Sequence, residues 1–382
     1  MKLLFSTRPA YGHMYPLMPL AEAARAAGHE VVFATCGEFV PKLERLGYRT
    51  ESVGITIEEG LEQFFAAGGT LAGEEGRTDL DAGAELFVSI VGRRTAADLL
   101  PVLRRERPDV VIYEQYEFGA PVAAGVAGIE AICHAISPQL PPAARQLFGG
   151  PRADRLWAEH GVTDVPFDAT TGNAFLDIFP TVMQEPSFAS DPARIPMQPI
   201  PWAEPGFDVP AWVTLAERPV IYLTLGTVVA TDEVLQPAIQ GLASLDAEVL
   251  VTLGSAPGSD LGPVPANVHV ETFVDQARLM PYVDLVVHHG GSGTTLAALV
   301  NGVPQVLTPK GADQFLNGDL IARAGLAEVL LPGEATADAV ATAAKRALTE
   351  PNRSAIDAVR DEIAAMPTPA DVMARIGRRS AA

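Results

Sequence analysis

Short apolar runs alternate with stretches of helical pattern along the first half of the chain. Each run is short enough for a buried strand, and the stretches between them favour helices. The predicted strands cover residues 2–7, 30–35, 49–53, 109–113 and 130–135, and the predicted helices 17–27 and 96–106. Strands and helices that alternate in this way are typical of a parallel, doubly wound sheet.

The same pattern starts again after residue 219. The predicted strands of this half cover residues 220–225, 248–253, 268–271, 284–287 and 305–307, and the helices 294–300, 335–348 and 354–365. The chain of 382 residues exceeds one typical domain and suits two. We therefore predict two doubly wound, Rossmann-like α/β domains.

Prolines recur densely between residues 186 and 219, a composition that disfavours regular elements and suits a stiff linker. The predicted domains are residues 1–195 and 219–366, with residues 196–218 as the linker. Residues 367–382 form a last segment with a predicted helix at 371–379.

The alternation of strand and helix patterns weakens in two stretches of the first domain, residues 54–94 and 139–173. A solvated, mobile surface loop is one interpretation of such a stretch. The other is a lid or wall for an apolar ligand, with Phe64, Phe65, Phe87 and Trp157 as its contact residues.

The charge and the cysteine content of the chain limit the classes of partner and the cellular compartment that suit it. The net charge of −20 and pI near 4.7 disfavour nucleic acid and anionic membranes, because the field of the protein repels both. The two cysteines do not suggest a disulfide scaffold, so a reducing cytoplasm is expected. The apolar run at the N-terminus is too short for a signal peptide, and no run is long enough to span a membrane.

A glycine-rich turn follows the predicted strand at residues 284–287. It reads His288-His289-Gly290-Gly291-Ser292-Gly293-Thr294 and leads into a helix, whose free N–H groups and dipole favour an anion. A Walker loop would carry a lysine here, and none is present. His289 can donate a hydrogen bond instead, so we expect diphosphate binding without a metal. The alternative is that both histidines are polar residues that close a strand.

Two motifs resemble those of nucleotide-sugar-dependent glycosyltransferases, and most closely the bacterial branch that decorates macrolides, enediynes and aromatic polyketides. The donor signature comprises His289-x-Gly291-x-Gly293-Thr294, Gly302-Val303-Pro304, Pro309, Asp313-Gln314 and Asn317, and the second motif is Gly12-His13-x-x-Pro16. The resemblance implies the GT-B architecture, in which two such domains face each other across a cleft and the last helix returns to the first domain.

The resemblance also assigns roles in the second domain. Thr227, His289, Gly291, Ser292, Gly293 and Thr294 would bind the donor diphosphate, Phe273 and Val274 the nucleobase, and Asp313 and Gln314 the sugar hydroxyls. The proline that usually precedes the glutamine of the nucleobase stretch is Asp275 here, which leaves the shape of that loop open.

In the first domain the resemblance makes His13 the general base. A neutral imidazole suits this task near neutral pH, and a carboxylate that fixes its tautomer improves it. The family commonly has an aspartate after the strand at residues 109–113, where this chain has Glu114. Glu114 is therefore the predicted partner of His13, and a solvated carboxylate at a strand end is the alternative.

The predicted function is inverting transfer of a (deoxy)sugar from a TDP- or UDP-sugar to an apolar natural-product acceptor. No cofactor or metal is expected beyond the nucleotide-sugar co-substrate, and the chain is compatible with a homodimer. A nucleotide-sugar epimerase and an inactive auxiliary homologue are the alternatives. The acceptor, the sugar and the type of glycosidic bond stay open.

Overall fold

A computed structural model describes residues 1–71, 79–226, 232–254 and 264–379 of the chain. The chain forms two compact units. One comprises Met1–Gln198 together with the segment that starts at Met366, and the other comprises Pro199–Ala365.

The N-terminal unit contains a parallel sheet. Its strands are β1 (Lys2–Ser6), β2 (Glu30–Thr35), β3 (Arg49–Ser52), β4 (Val110–Glu114), β5 (Glu130–His134), β6 (Ala174–Asp177) and β7 (Arg194–Pro196). They lie in the order β3-β2-β1-β4-β5-β6-β7, and every neighbouring pair is parallel. The order reverses between β1 and β4, which is the switch point of a doubly wound sheet.

The C-terminal unit repeats this topology. Its strands are β8 (Val220–Thr224), β9 (Glu248–Thr252), β10 (Val268–Glu271), β11 (Leu285–His288), β12 (Gln305–Leu307) and β13 (Ala327–Val329). The order β10-β9-β8-β11-β12-β13 is again all parallel and reverses between β8 and β11.

Helices connect the strands. In chain order they are α1 (Tyr11–Met14), α2 (Met18–Ala26), α3 (Phe39–Arg45), α4 (Ile57–Ala66), α5 (Leu80–Ala84), α6 (Arg93–Glu106), α7 (Gly119–Ala127), α8 (Pro142–Gly149), α9 (Pro151–Glu159), α10 (Pro186–Ala189), α11 (Ala211–Thr214), α12 (Asp232–Ala243), α13 (Gln276–Leu279), α14 (Ser292–Asn301), α15 (Gln314–Arg323), α16 (Ala337–Thr349), α17 (Arg353–Ala365) and α18 (Pro369–Arg379). A π-helical stretch, Glu85–Gly92, joins α5 to α6.

Both faces of the C-terminal sheet are covered, which explains why its strands read as continuous apolar runs. Ile221 and Leu223 of β8 belong to a core that also contains residues of α12 and α16. Val220 and Tyr222 of the same strand belong to a second core with residues of α13 and α14. Alternate residues of a strand thus fill two separate layers.

The irregular stretches expected in the first domain are largely helical, so that expectation is wrong. Helices α8 and α9 lie within residues 139–173, and α4, α5 and the π-helical stretch lie within residues 54–94. Helix α4 begins with a capping box between Thr56 and Glu59. These helices are short and amphipathic, and glycines and prolines between them conceal the period in the sequence.

Regular structure also enters the proline-rich stretch, which contains α10, β7 and α11. Strands β6, β7 and β13 were not predicted. Strand β7 contains Pro196 and lies in the proline-rich stretch, and β13 is half-buried along its length, so neither has the continuous apolar run of a buried strand. Strand β6 directly follows the stretch in which the hydrophobic pattern weakens.

The last helix, α18, belongs to the N-terminal unit. It buries Val372, Met373 and Ile376 and contacts α2. The N–H of Gln198 donates to the carbonyl of Pro367 at 2.8 Å just before this helix. Among the described helices, none is long and apolar enough to cross a membrane.

Candidate functional site

His13 and Glu114 meet at the switch point of the N-terminal sheet. Ser6 at the end of β1 pairs with Tyr113 near the end of β4, so the turns that follow the two strands start side by side. Helix α1 carries His13 in the first turn, and its Nδ1 lies 2.9 Å from Oε1 of Glu114. The longer glutamate side chain therefore reaches the histidine.

The Glu114 carboxylate is fully buried and held at both oxygens. The N–H of Tyr116 donates to Oε2 at 2.8 Å, and Nε of Arg8 lies 3.4 Å from Oε1. Burial acts to raise the pKa of Glu114, but His13, Arg8 and the Tyr116 N–H together lower it below its ordinary value. An ionised carboxylate can only accept, so His13 donates from Nδ1 and keeps the lone pair on Nε2.

The aromatic residues expected to contact an acceptor do not share one environment. Phe65 is 52% exposed, and Phe87 is half-buried with its ring 4.0 Å from the guanidinium of Arg8. Phe64 is buried against Leu86 and Val91.

Trp157 was expected to contact the acceptor, but its position in the structure does not agree with this role. The side chain is 1% exposed and packs in a core with Phe118 and Phe148. A Cβ on Gly125 would lie 2.4 Å from its ring. Trp157 thus fills the interior of the unit and presents no surface to a ligand. Its aromatic character alone could not distinguish the two roles.

In the C-terminal unit, the glycine-rich turn leaves β11 and enters α14 at the switch point. Gly290 has φ +89°, a conformation that favours glycine, and Gly291 is the N-cap of α14. His289 lies against two glycines: a Cβ on Gly226 would be 2.8 Å from Nε2, and a Cβ on Gly291 would be 2.5 Å from the same atom. The predicted Thr227 lies outside the described residues.

The two adjacent histidines differ in their partners. His288 is buried in the strand; its Nδ1 accepts from the N–H of Gly290 at 3.2 Å, and its Nε2 lies 3.0 Å from Oε1 of Gln305. Nδ1 of His289 is buried without a hydrogen-bond partner among the described residues. Burial lowers the pKa of His288 to about 3 and that of His289 to about 4, so both rings are neutral at pH 7. His288 closes the strand, whereas the His289 ring faces the Thr224 carbonyl, which acts to raise its pKa against the larger effect of burial.

Asp313 is tied to the glycine-rich turn. Ser292 Oγ donates to its Oδ2 at 2.7 Å, and Asn317 Nδ2 donates to the same oxygen at 3.1 Å and to the Gly290 carbonyl at 2.9 Å. Asn317, part of the signature but not assigned a role from sequence, thus joins the donor turn to α15.

The other predicted donor residues also have defined partners. Oε1 of Gln314 accepts from the N–H groups of Lys310 and Gly311, at 2.8 and 3.2 Å. Thr294 Oγ1 donates to Oε1 of Gln276 at 3.0 Å. Gly293 is exposed on the first turn of α14. These contacts order the loops around the turn.

The predicted nucleobase residues face different surroundings. Phe273 is 38% exposed, and its ring is tilted against that of Phe207 with ring centroids 4.6 Å apart, whereas Val274 belongs to the core. Asp275 is the N-cap of α13 and accepts from the N–H of Arg278 at 3.0 Å. The aspartate therefore shapes this loop by capping a helix.

The described part of the chain contains no group of three or more His, Cys, Asp or Glu side chains that could hold a metal ion. Binding of the donor without a metal stays a prediction.

Comparisons with known proteins give the family. The family described as erythromycin biosynthesis protein CIII-like, C-terminal domain, matches residues 236–378. The L-demethylnoviosyl transferase of Streptomyces niveus is 30% identical over 388 residues, which cover 97% of this chain and 96% of that protein. The elloramycin glycosyltransferase of Streptomyces olivaceus is 31% identical and covers 98% of this chain and 97% of its own.

Solved structures of glycosyltransferases have the same fold over the whole length of this chain. The glycosyltransferase SsfS6 of Streptomyces sp. SF2575, complexed with thymidine diphosphate, has a TM-score of 0.82 at 28% identity and covers 99% of both chains. The glycosyltransferase VinC in complex with dTDP has a TM-score of 0.80 at 25% identity and covers 100% of this chain and 99% of its own. The predicted GT-B fold class is confirmed, and the chain belongs to the family of glycosyltransferases of antibiotic biosynthesis.

Proposed function

We propose that this chain transfers a deoxysugar from a TDP-sugar to an apolar natural-product acceptor, by a single displacement with inversion and with His13 as the general base. The observation that carries the proposal is the 2.9 Å contact between Nδ1 of His13 and the buried, ionised Glu114. This contact leaves Nε2 of a partly exposed imidazole free to take a proton.

The reaction needs one base and no enzyme nucleophile. Nε2 of His13 takes the proton of the acceptor nucleophile, whose electron pair forms the new bond to the anomeric carbon. The bond from that carbon to the diphosphate oxygen breaks, and the diphosphate leaves with the electron pair. Glu114 stabilises the imidazolium that results. A single displacement inverts the configuration of the anomeric carbon.

The turn before α14 supports the diphosphate assignment. The N-terminus of this ten-residue helix provides free N–H groups and a positive dipole end. The His289 ring lies against Gly226 and Gly291, which places it beside these N–H groups. The two solved relatives with bound thymidine diphosphate favour TDP over UDP as the carrier.

The sugar would lie beside Asp313 and Gln314. Their contacts with the turn and with the loop at Lys310 hold both side chains before the donor arrives. Relatives named as transferases of mycarose, desosamine and noviose derivatives support a deoxysugar. Neither the epimerase nor the inactive homologue is favoured, because these relatives carry transferase names. Incubation with a TDP-sugar alone should give no epimer.

The His13→Ala variant tests the proposal, with His160→Ala as the matched control because His160 lies at the end of α9. TDP release is measured with a panel of aglycones, and TDP binding by calorimetry. We expect His13→Ala to bind TDP like the wild type and to lose about 10²- to 10⁴-fold in turnover. Unchanged turnover would reject His13 as the base, and a wild-type chain that binds neither TDP nor UDP would reject the donor assignment.

A further inference from the structure

Arg8 is a buried charge beside the His13–Glu114 pair. It follows β1, and its side chain is 1% exposed. Its Nε lies 3.4 Å from Oε1 of Glu114, the same oxygen that contacts His13. A guanidinium and an imidazole therefore converge on one carboxylate oxygen.

Two contacts fix the guanidinium. Nη2 donates to the carbonyl of Tyr116, and the ring of Phe87 in the π-helical stretch lies 4.0 Å from the guanidinium carbon. The N–H of the same Tyr116 donates to Oε2 of Glu114. The turn after β4 thus holds both members of the ion pair.

Folding alone does not account for a charge at this position. Nε of Arg8 makes only the 3.4 Å ion-pair contact with Glu114, which is too loose to count as a hydrogen bond, and Nη1 is buried without a hydrogen-bond partner among the described residues. Burial of an incompletely paired guanidinium is unfavourable, and apolar side chains often replace buried ion pairs without loss of stability. A functional reason for the arginine is therefore expected.

We propose that Arg8 is a positioning residue: it holds the Glu114 carboxylate in the place and charge state that keep Nδ1 of His13 protonated and Nε2 free. This inference rests on the proposed function for the role of His13 in transfer. The geometry of the three side chains itself lies within one unit and does not depend on the donor.

We expect the loss of Arg8 to shift the pH dependence of the transfer rate. The groups that act electrostatically on Glu114 or on Arg8 are His13, Tyr116, Glu117, Cys133 and His134. Burial raises the pKa of Glu114, and the Arg8 charge is one of the effects that hold it down. Without Arg8 this pKa rises, so Glu114 becomes protonated at higher pH. The acid-side loss of activity then starts at higher pH.

The experiment compares Arg8→Met, Arg8→Lys, Glu114→Gln and the double variant Arg8→Met/Glu114→Gln. Arg94→Met is the control, since Arg94 is an exposed arginine that pairs with Asp98 at 2.7 Å. We expect Arg8→Met to lower kcat for TDP release by about 10- to 100-fold, with KM for the TDP-sugar unchanged. Arg8→Lys keeps the charge and should restore most of the rate. In the Glu114→Gln background, Arg8→Met should have little further effect.

A second readout does not require turnover. The chain has 7 histidines, and ¹⁵N-labelled histidine spectra report which ring nitrogen carries the proton. His13, assigned by its loss in His13→Ala, should be protonated at Nδ1 in the wild type and in Arg8→Lys. In Arg8→Met the two tautomers should mix. If the wild type releases no TDP, the proposed function fails, whereas this measurement still decides the role of Arg8.

An unchanged tautomer and rate in Arg8→Met would overturn the proposal, as would an equal loss of rate in the wild-type and Glu114→Gln backgrounds. If Arg8→Met does not fold, the double variant decides. Recovery of folding by Glu114→Gln would show that Arg8 acts through that carboxylate. Failure of the double variant to fold would show that Arg8 serves packing only.

Discussion

Single glycines set how closely the backbone approaches His289. A Cβ on Gly291 would lie 2.5 Å from Nε2 of the ring, and a Cβ on Gly226 would lie 2.8 Å from it. Real side chains do not make such contacts, so the ring would have to move. Gly291 does not need glycine for its dihedral angles, because its φ is −64°. Glycine is required at this position because a side chain would collide with the His289 ring.

The Gly291→Ala variant should therefore displace His289 and weaken TDP binding by about tenfold or more, which corresponds to about 1.4 kcal/mol. Gly318→Ala in α15 is the control, because a Cβ there meets Val329 at 3.5 Å, an ordinary contact. Calorimetric titration with TDP compares the two. Wild-type affinity in Gly291→Ala would show that the ring does not contribute to donor binding.

At the scale of elements, α7 packs closely on the junction of the π-helical stretch with α6. A Cβ on Gly119 would lie 2.3 Å from the carbonyl oxygen of Gly92 and 2.6 Å from the backbone nitrogen of Ala96. Backbone cannot yield in the way that a flexible side chain does. This close approach fixes the π-helical stretch, which carries Phe87 to Arg8.

We expect Gly119→Ala to destabilise the N-terminal unit by about 1 to 3 kcal/mol, because it overpacks this interface. In Gly83→Ala the new Cβ would meet only Phe148, at 3.9 Å, so this variant should unfold at the wild-type urea concentration or slightly above it. Urea denaturation followed by circular dichroism checks both. Equal midpoints for Gly119→Ala and the wild type would contradict the close packing.

For the whole molecule, the buried titratable groups make the two units respond differently to acid. In the C-terminal unit His288 and His289 have pKa values lowered by burial to about 3 and about 4. The unfolded chain binds more protons than the folded one below about pH 6.5, so stability falls as the pH falls. In the N-terminal unit His134, with its pKa lowered to about 4, acts in the same direction. Burial raises the pKa of Glu117 to about 7, which has the opposite effect.

The C-terminal unit should therefore lose about 3 kcal/mol between pH 6.5 and 5, and the N-terminal unit much less. Tryptophan fluorescence separates the units, because Trp157 lies in the first and Trp202 and Trp212 in the second. Trp157→Phe reports the C-terminal unit, and Trp202→Phe/Trp212→Phe reports the N-terminal one. Urea midpoints that shift equally with pH in both variants would refute this difference.

The sequence by itself determined the parallel α/β units and the positions of His13 and the glycine-rich turn. These features are local: a buried strand requires a continuous apolar run, and a turn with φ +89° at Gly290 favours glycine wherever it occurs. Strands β7 and β13 lack such a run, because β7 contains Pro196 and β13 is only half-buried.

Only the tertiary structure decided whether Glu114 contacts His13 or is a solvated carboxylate at a strand end. His13 and Glu114 are 101 positions apart, and their contact depends on β1 lying next to β4 in the sheet. The same strand order brings Arg8 to Glu114, while helix packing buries Trp157. Residue type indicates what a side chain can do, but its partners and its exposure depend on elements distant in the chain.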